Sequence, residues 1–360
     1  MKILSVETSC DETSAAVVEK NDGKSVRVLS NVTATSLAIH AATGGIIPEN
    51  AAREQVKYII PVIVEALLKS ENVKPGSNSE NFIRAKQILN EETDALAVTY
   101  GPGLIGSLLV GVETAKTLSL VFDKPIIPVN HLLAHLFANF IQTSNIYDPR
   151  SEIKYPFIGL IVSGGHTDLL LFKSLTDYEW LGGTRDDAAG EALDKIGRLL
   201  NLPYPAGPEI ERRSALAKDS DKIKFKSPLM ETEDFDFSFS GLKAEVSRFV
   251  KNEKLTNRLT NQVSRAVQTA IFDVLIKKTI RAAKVYGCSN IVLGGGVASN
   301  KTLLRGIELG IRNNELGIKV FAPEKVYATD NAAMIGSYAL LNYKPVDWHK
   351  VAANPDLYFV

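Results

Sequence analysis

The sequence predicts an α/β fold built from two related halves. Two observations carry this. Apolar strand-like runs alternate with longer runs at helical spacing, the pattern of sheets covered by helices. The layout of residues 1–20, MKILSVETSCDETSAAVVEK, also returns at 155–174 as YPFIGLIVSGGHTDLLLFKS. Each copy is an apolar strand, a tight turn of small and hydroxyl residues with an acidic residue, and a second apolar strand. Such a recurrence reads as a diverged duplication, with a cleft between two related domains as its consequence.

At 360 residues the chain has the length of two ordinary domains. We place residues 1–150 in the first and 151–330 in the second, with 331–360 packing back on the first. KILSVE and AAVVEK read as strands, followed by a helix through Glu49–Lys69, the strand ALAVTY, a glycine turn and another helix. Residues 70–93, containing PGSNSEN, read as an exposed polar excursion. In the second half, EALDKIGRLL is helix-prone, NLPYPAGPE reads as a loop and FDFSFSGLK as a polar segment. SNIVLGGGVASNKTLLRGI is a strand, three glycines and a helix from about Asn300. The last helix, in APEKVYATDNAAMIGSYALL, is expected to start at Thr329 or Asp330.

Basic and acidic residues balance at 41 each, so no global field attracts nucleic acid. A polyanionic partner then requires a local patch or a helper subunit. Cys10 and Cys288 stand far apart and form no metal or redox spacing, which fits a reducing compartment. MKILSVETS enters a strand with no apolar or Arg/Ser-rich leader, so the expected location is cytoplasmic, or organellar for a processed chain. The uncharged stretch Ala95–Val112 is the best membrane-span candidate, but Gly101, Pro102, Gly103, Gly106 and Gly111 interrupt it. A strand, a turn and a buried helix explain it better, and no membrane association is expected.

HLLAHLF, 131–137, puts two of the five histidines four apart. On a helix they share one face, so His131 and His135 can offer imidazole nitrogens to one metal ion. The zinc-protease pattern with this spacing carries a glutamate directly after the first histidine, where this chain has Leu132. The alternative is a pair of half-buried helix histidines bonded to backbone or water. Asp330 either caps a helix or completes a two-histidine, one-carboxylate site with open positions. Spacing along the chain does not decide between these.

TSCDET and VSGGHT are either plain hairpin turns or clusters of N–H and hydroxyl groups around an anion. LGGGVASN lets a flat ligand lie against its backbone, or is a tight strand-to-helix connection. Its spacing is not GxGxxG and no acidic residue follows at the dinucleotide distance, so a Rossmann site is rejected. GTRDDAAGEALDK groups Asp186, Asp187, Glu191 and Asp194 around a helix start, as caps and dipole partners. Asp194, further along, suits ribose hydroxyls, with Lys195 as a solvated neighbour.

Ten stretches run in order from residue 7 to residue 336: ETSCDETSAAVV, GGIIPENAARE, VTYGPGLIGSLLVG, NHLLAHL, VSGGHTDLLL, DDAAGEALDKIGRLL, YPAGP, FSFSGLK, GGGVASN and TDNAAMIG. Together they resemble the tRNA threonylcarbamoyladenosine transferase family, TsaD in bacteria, formerly called O-sialoglycoprotein endopeptidases. The resemblance implies the duplicated two-lobe fold, with a central cleft, of actin, hexokinase and the heat-shock chaperone ATPases (ASKHA). It implies that His131, His135 and Asp330 bind one divalent metal per subunit, Fe2+ first and Zn2+ as the alternative. It implies that Val162, Ser163, Gly164, Gly165 and His166 line a carbamoyl-adenylate site, with Asp194, Gly207, Glu211 and Asn300 around its nucleotide part. Asp11 and Glu12 match first-turn acids that the family needs for activity; with His166 they are the expected catalytic residues.

Three positions depart from the family pattern. Gln55 stands where relatives usually have histidine. Ala206 replaces the first glycine of YPGGP, an added methyl expected next to the nucleotide. The 70–93 excursion is longer than the family's and suits a lineage-specific partner.

The implied reaction moves a threonylcarbamoyl group from threonylcarbamoyl-AMP to the adenosine 3′ of the anticodon, position 37, in tRNAs reading ANN codons. Implied partners are tRNA, a TsaB-like paralogue and a TsaE-like ATPase, with a homodimer as an alternative assembly. The competing readings are a small-molecule kinase of the same fold, a nucleotide-dependent scaffold, and a metalloprotease. The metal-ligand set argues against the first two, and Leu132 against the third.

Overall fold

The computed structural model describes residues 1–21, 25–36, 46–142, 152–218, 223–251 and 253–359; the first two glycines of GGIIPENAARE lie outside these. The chain forms two compact units, Met1–Glu152 with Thr329–Val360, and Ile153–Ala328. The chain returns to the first unit at Thr329, ahead of the expected 331, and this puts Asp330 in the same unit as both histidines.

The first unit contains β1 (Lys2–Glu7), β2 (Glu12–Asn21), β3 (Ser25–Thr35), β4 (Ala95–Gly101) and β5 (Ile126–Asn130), in the order β3-β2-β1-β4-β5. The first three form an antiparallel meander, while β4 and β5 add parallel to β1. β1 and β4 are almost continuously buried, as strands covered on both faces must be. Leu4, Val6, Ala15 and Val17 pack with Ile59, Val62 and Ile63 of α1 (Pro48–Ser70). The opposite face takes the returning helix Ala332–Leu341, which comes so close that a side chain at Gly336 would collide with Val18 and Ser5. Ser5 Oγ donates to Ala332 O at 2.7 Å, joining strand and helix.

The expected polar excursion at 70–93 is instead largely a helix, α2 (Asn78–Glu91). Ser77 and Glu80 form a capping box: Glu80 Oε2 accepts from Ser77 N at 2.8 Å, and Ser77 Oγ accepts from Glu80 N at 3.4 Å. Ala85, Ile88 and Leu89 are the buried stripe, too narrow to stand out among polar neighbours. The Ala95–Val112 run divides, as expected, into β4, a turn and the start of α3 (Ile105–Phe122). Among the described residues α3 alone is long and apolar enough to cross a membrane by length and composition. Its Val112 and Ala115 belong to the first unit's core. β5 then leads directly into α4 (His131–Phe137).

The second unit repeats the first. β6 (Phe157–Val162), β7 (Thr167–Phe172) and β8 (Tyr178–Gly183) form the antiparallel meander; β9 (Asn290–Gly294) and β10 (Lys319–Phe321) add parallel, in the order β10-β9-β6-β7-β8. Strand for strand this is the first sheet's topology, so the resemblance between residues 1–20 and 155–174 extends to whole sheets. The unit's helices are α5 (Ala189–Leu199), α6 (Ala206–Ala215), α7 (Ser240–Val250), α8 (Asn257–Val285), α9 (Lys301–Asn313) and α10 (Lys325–Ala328). Val263, Val267, Ile271 and Leu275 of α8 share one core with Leu160, Ile196 and Ile210.

Lys278 of α8 is fully buried and donates to Thr232 Oγ1 at 2.9 Å, Asp234 Oδ1 at 3.0 Å and Asp236 O at 2.5 Å. A buried ammonium is tolerated only with such a set of acceptors. It anchors the segment that leads into FSFSGLK.

Candidate active site

The histidine pair is set by the helix that carries it. Asn130 caps α4, its Oδ1 accepting from Leu132 N at 2.9 Å and Leu133 N at 3.2 Å. His131 and His135 therefore sit one turn apart, 6 % and 1 % exposed. The C-terminal helix starts at Ala332, later than the expected Thr329 or Asp330, because Asn331 is the cap and accepts from Met334 N at 3.1 Å. Asp330 is thus relieved of capping. Its Oδ1 lies 3.5 Å from His131 Nε2 and 3.3 Å from His135 Nε2. The ligand atoms of all three lie within 4.8 Å of one another, the only such group among the described residues.

These residues fit a metal ion. Both ring nitrogens of His135 are buried and neither completes a well-formed hydrogen bond; Nε2 faces Asp330 Oδ1. A buried polar atom without a good partner is costly, and an ion bound at Nε2 would satisfy that nitrogen. Two imidazoles and one carboxylate suit Fe2+ or Zn2+ with positions left open. Behind His131, Nδ1 is 3.0 Å from Glu7 Oε2. Burial works against charge on both groups, yet their mutual attraction wins. His131, with Glu7 and Asp330 beside it, is raised to about 9, and Glu7 is held below the ordinary carboxylate value. Sequence reasoning did not find Glu7; the one signal was a carboxylate ending a buried apolar strand.

The turn after β1 is both a hairpin connection and a clamped loop. Gln55, 1 % exposed, donates from Nε2 to Cys10 O at 3.1 Å and Glu12 O at 2.9 Å. Ser107 Oγ donates to Cys10 O at 3.0 Å, and Leu104 N to Ser9 O at 2.8 Å. α1 and α3 thereby hold the backbone that presents Asp11 and Glu12. Burial, reinforced by the Asp11 charge, pushes Glu12 up to about 8, against a hydrogen bond from Thr35 Oγ1 at 3.1 Å.

In the second unit, β6 ends at Val162 and the Ser163–His166 turn closes on itself. Ser163 N donates to His166 O at 2.9 Å and His166 N to Ser163 Oγ at 3.1 Å. Gly164 and Gly165 face open space: a Cβ on either would meet nothing within 4 Å. Gly295, at φ 95°, packs against the Val162 carbonyl, where only glycine fits. Gly190 N donates to Ser163 O at 3.2 Å. The SGGH turn, the start of α5 and the GGG turn thus meet at the carboxyl ends of β6 and β9, the usual ligand position in open α/β sheets.

Around this point, acidic and amide side chains serve helix starts. Asp194 Oδ1 accepts from Ala206 N at 2.6 Å, so α6 begins inside the expected NLPYPAGPE loop. Burial raises the Asp194 pKa more than these helix N–H groups lower it. Glu211 Oε1 accepts from Lys301 N at 3.0 Å, and Asn300 Oδ1 from Thr302 N at 2.9 Å, both at the start of α9. Gly207 opens to free space.

The Ala206 methyl is 2 % exposed and packs towards Gly197, in the core of the second unit. One expectation is corrected here. Lys195 is not simply solvated but pairs with Asp187 at 2.6 Å and Glu191 at 2.9 Å. Asp186 serves the start of α7, accepting from Phe239 N at 2.7 Å and Ser240 Oγ at 2.8 Å. That bond ties GTRDDAAG to FSFSGLK.

The sequence model of the family TsaD, tRNA N6-adenosine threonylcarbamoyltransferase, matches residues 27–337. The chain belongs to this family. A tRNA N6-adenosine threonylcarbamoyltransferase of Moorella thermoacetica is 41 % identical over 361 residues, 99 % of this chain and 96 % of the relative. That of Persephonella marina is 42 % identical over 348 residues, 96 % and 90 % of the two chains. Among solved structures, HypF of T. kodakarensis superposes with a TM-score of 0.57 at 14 % identity, over 95 % of this chain and 48 % of that one. A full-length HypF in a phosphate- and nucleotide-bound form gives 0.54 at 13 %. At these identities the likeness concerns fold alone, and the fold is the duplicated ASKHA type. The TsaD chain is a transferase that acts on N6 of a tRNA adenosine, and the kinase, scaffold and protease readings give way to it.

Proposed function

We propose that this transferase is metal-dependent and takes its threonylcarbamoyl group from threonylcarbamoyl-AMP, delivering it to adenosine 37 of tRNAs reading ANN codons. The observation that carries the reading is the convergence of His131, His135 and Asp330, with both His135 ring nitrogens buried and short of a well-formed hydrogen bond. An Fe2+ or Zn2+ ion held by these three would supply Lewis-acid polarisation of a carbonyl.

The donor is a mixed anhydride, so AMP is a good leaving group. The adenosine amine bonds to the carbamoyl carbon, the carbon–oxygen bond to the phosphate breaks, and the amine gives up one proton. The chain's task is to position and to stabilise charge. Gly164 and Gly165, with open space before them, suit the phosphate, and His166 borders the same turn. Asp194, Gly207, Glu211 and Asn300 gather at the starts of α6 and α9, which suits the ribose and base of the nucleotide. Glu12, raised to about 8, exchanges a proton near neutral pH, which suits acid–base work beside Asp11.

The balance of 41 basic and 41 acidic residues supports sharing tRNA with helpers, read here as a TsaB-like paralogue and a TsaE-like ATPase in the cytoplasm. A homodimer is the alternative.

The test is a transfer assay with metal-reconstituted protein, threonylcarbamoyl-AMP, the helper proteins and unmodified tRNA, followed by mass spectrometry of the digested nucleosides. Product is expected from the reconstituted protein and not from His135→Ala. Undiminished product from a metal-stripped protein or from that variant overturns the metal role.

A further inference from the structure

The carboxylate of Glu7 is fully buried and collects three donors. Oε1 accepts from Ser9 N at 2.5 Å, and Oε2 accepts from Thr99 Oγ1 at 2.5 Å while lying 3.0 Å from His131 Nδ1. A buried carboxylate costs several kcal/mol unless its lone pairs are satisfied. Two of the donors, a backbone N–H from the turn after β1 and a threonine hydroxyl from β4, fix the carboxylate in place. The third is the ring nitrogen of His131 that points away from Asp330. A histidine that ligates a metal through one nitrogen ordinarily donates its other N–H to such a carboxylate, which sets tautomer and ring orientation.

We infer that Glu7 is a positioning residue: it holds His131 by Nδ1–H, so that Nε2 turns towards Asp330 Oδ1 and His135 Nε2 with its lone pair available to a metal ion. Ser9 Oγ, 3.2 Å from the same nitrogen, closes the other side of that N–H. Since β1 carries Glu7 and α4 carries His131, the first strand's register is coupled directly to the geometry of the metal ligands. The inference rests on the metal reading of the His131, His135 and Asp330 group.

The test uses the full chain and zinc alone as probe, with affinity measured by competition against a chromophoric chelator. Glu7→Gln is expected to weaken zinc binding by about 10- to 100-fold in the otherwise native chain. In the His131→Ala background the same change is expected to alter affinity by much less than tenfold, because the residue acts through that histidine. Equal losses in the two backgrounds overturn the positioning role, since a general effect on the fold does not depend on His131.

The tautomer gives a second readout without touching Glu7. Nitrogen NMR of the zinc-loaded native protein, with His131 assigned from its alanine variant, is expected to show Nδ1 protonated and Nε2 metal-bound. Metal on Nδ1, or a proton on Nε2, rules the inference out. Zinc binding that depends on His135 but not on Glu7 removes this inference alone. Binding indifferent to His135 and Asp330 removes the metal reading and this inference with it.

Discussion

Gln55 Nε2 lies 2.9 Å from the backbone carbonyl of Glu12, 43 residues earlier in the chain, and 3.1 Å from that of Cys10. Gln55 is therefore a buried staple on the first turn. Its side-chain amide places one NH2 group between two part-buried carbonyls.

Replacing Gln55 by leucine keeps the volume and removes the side-chain donor to Glu12 O, while Cys10 O keeps Ser107 Oγ. The expected cost is about 1–2 kcal/mol in unfolding free energy, the penalty of taking a donor from a shielded acceptor. Urea denaturation of the metal-free chain measures it. A midpoint equal to that of the native protein would mean that the staple contributes nothing.

Glu12 predicts a pH dependence of stability. Its folded pKa of about 8 stands above the ordinary 4.5, so the fold favours the protonated form. That contribution is fully present below pH 4.5 and is lost as pH rises through 8. Glu12→Gln imitates the protonated acid at every pH. From pH 5 to 8 the metal-free native chain should lose thermal stability relative to the variant, by a gap that widens with pH. Parallel curves would show that Glu12 ionises without penalty.

Asp330 and Asn331 are adjacent, and the structure separates their roles. Asn331→Ala removes the cap on Met334 N and should cost about 1 kcal/mol of stability while bound metal is retained. Asp330→Ala should remove stoichiometric metal, read by elemental analysis after dialysis. The opposite assignment of effects would return Asp330 to capping.

Ala206 is placed in the core. Ala206→Gly removes the methyl and should lower stability by about 1 kcal/mol through helix propensity and the lost apolar contact. AMP affinity, measured by calorimetry, should not change. A tenfold change in AMP affinity with stability intact would put the methyl back at the ligand.

Much of the molecule was legible before any coordinates. β4, β6 and β9 are mostly apolar runs, β1 is an apolar run broken by Ser5, and α5 and α9 carry their apolar residues at helical spacing, so neighbouring residues alone specify them. The duplication, the i, i+4 histidines and the glycine turns were readable for the same reason. α2 was missed because its stripe of Ala85, Ile88 and Leu89 is short and its surroundings polar, although the Ser77–Glu80 capping box was in plain sight.

What the sequence by itself determined is therefore the set of local elements and the chemical types at the turns between them. Only the tertiary structure decided which of those types meet. Asn331 rather than Asp330 caps the last helix, so one carboxylate is released towards two imidazoles. Glu7 reaches His131 because β1, β4 and β5 are successive neighbours in register. Gln55 reaches the first turn because α1 packs on β2, and Ala206 meets Gly197 because α5 and α6 cross there. Propensity and periodicity act over a few residues of chain, whereas ligand sets, staples and buried charge pairs depend on strand register and helix packing between segments far apart in it.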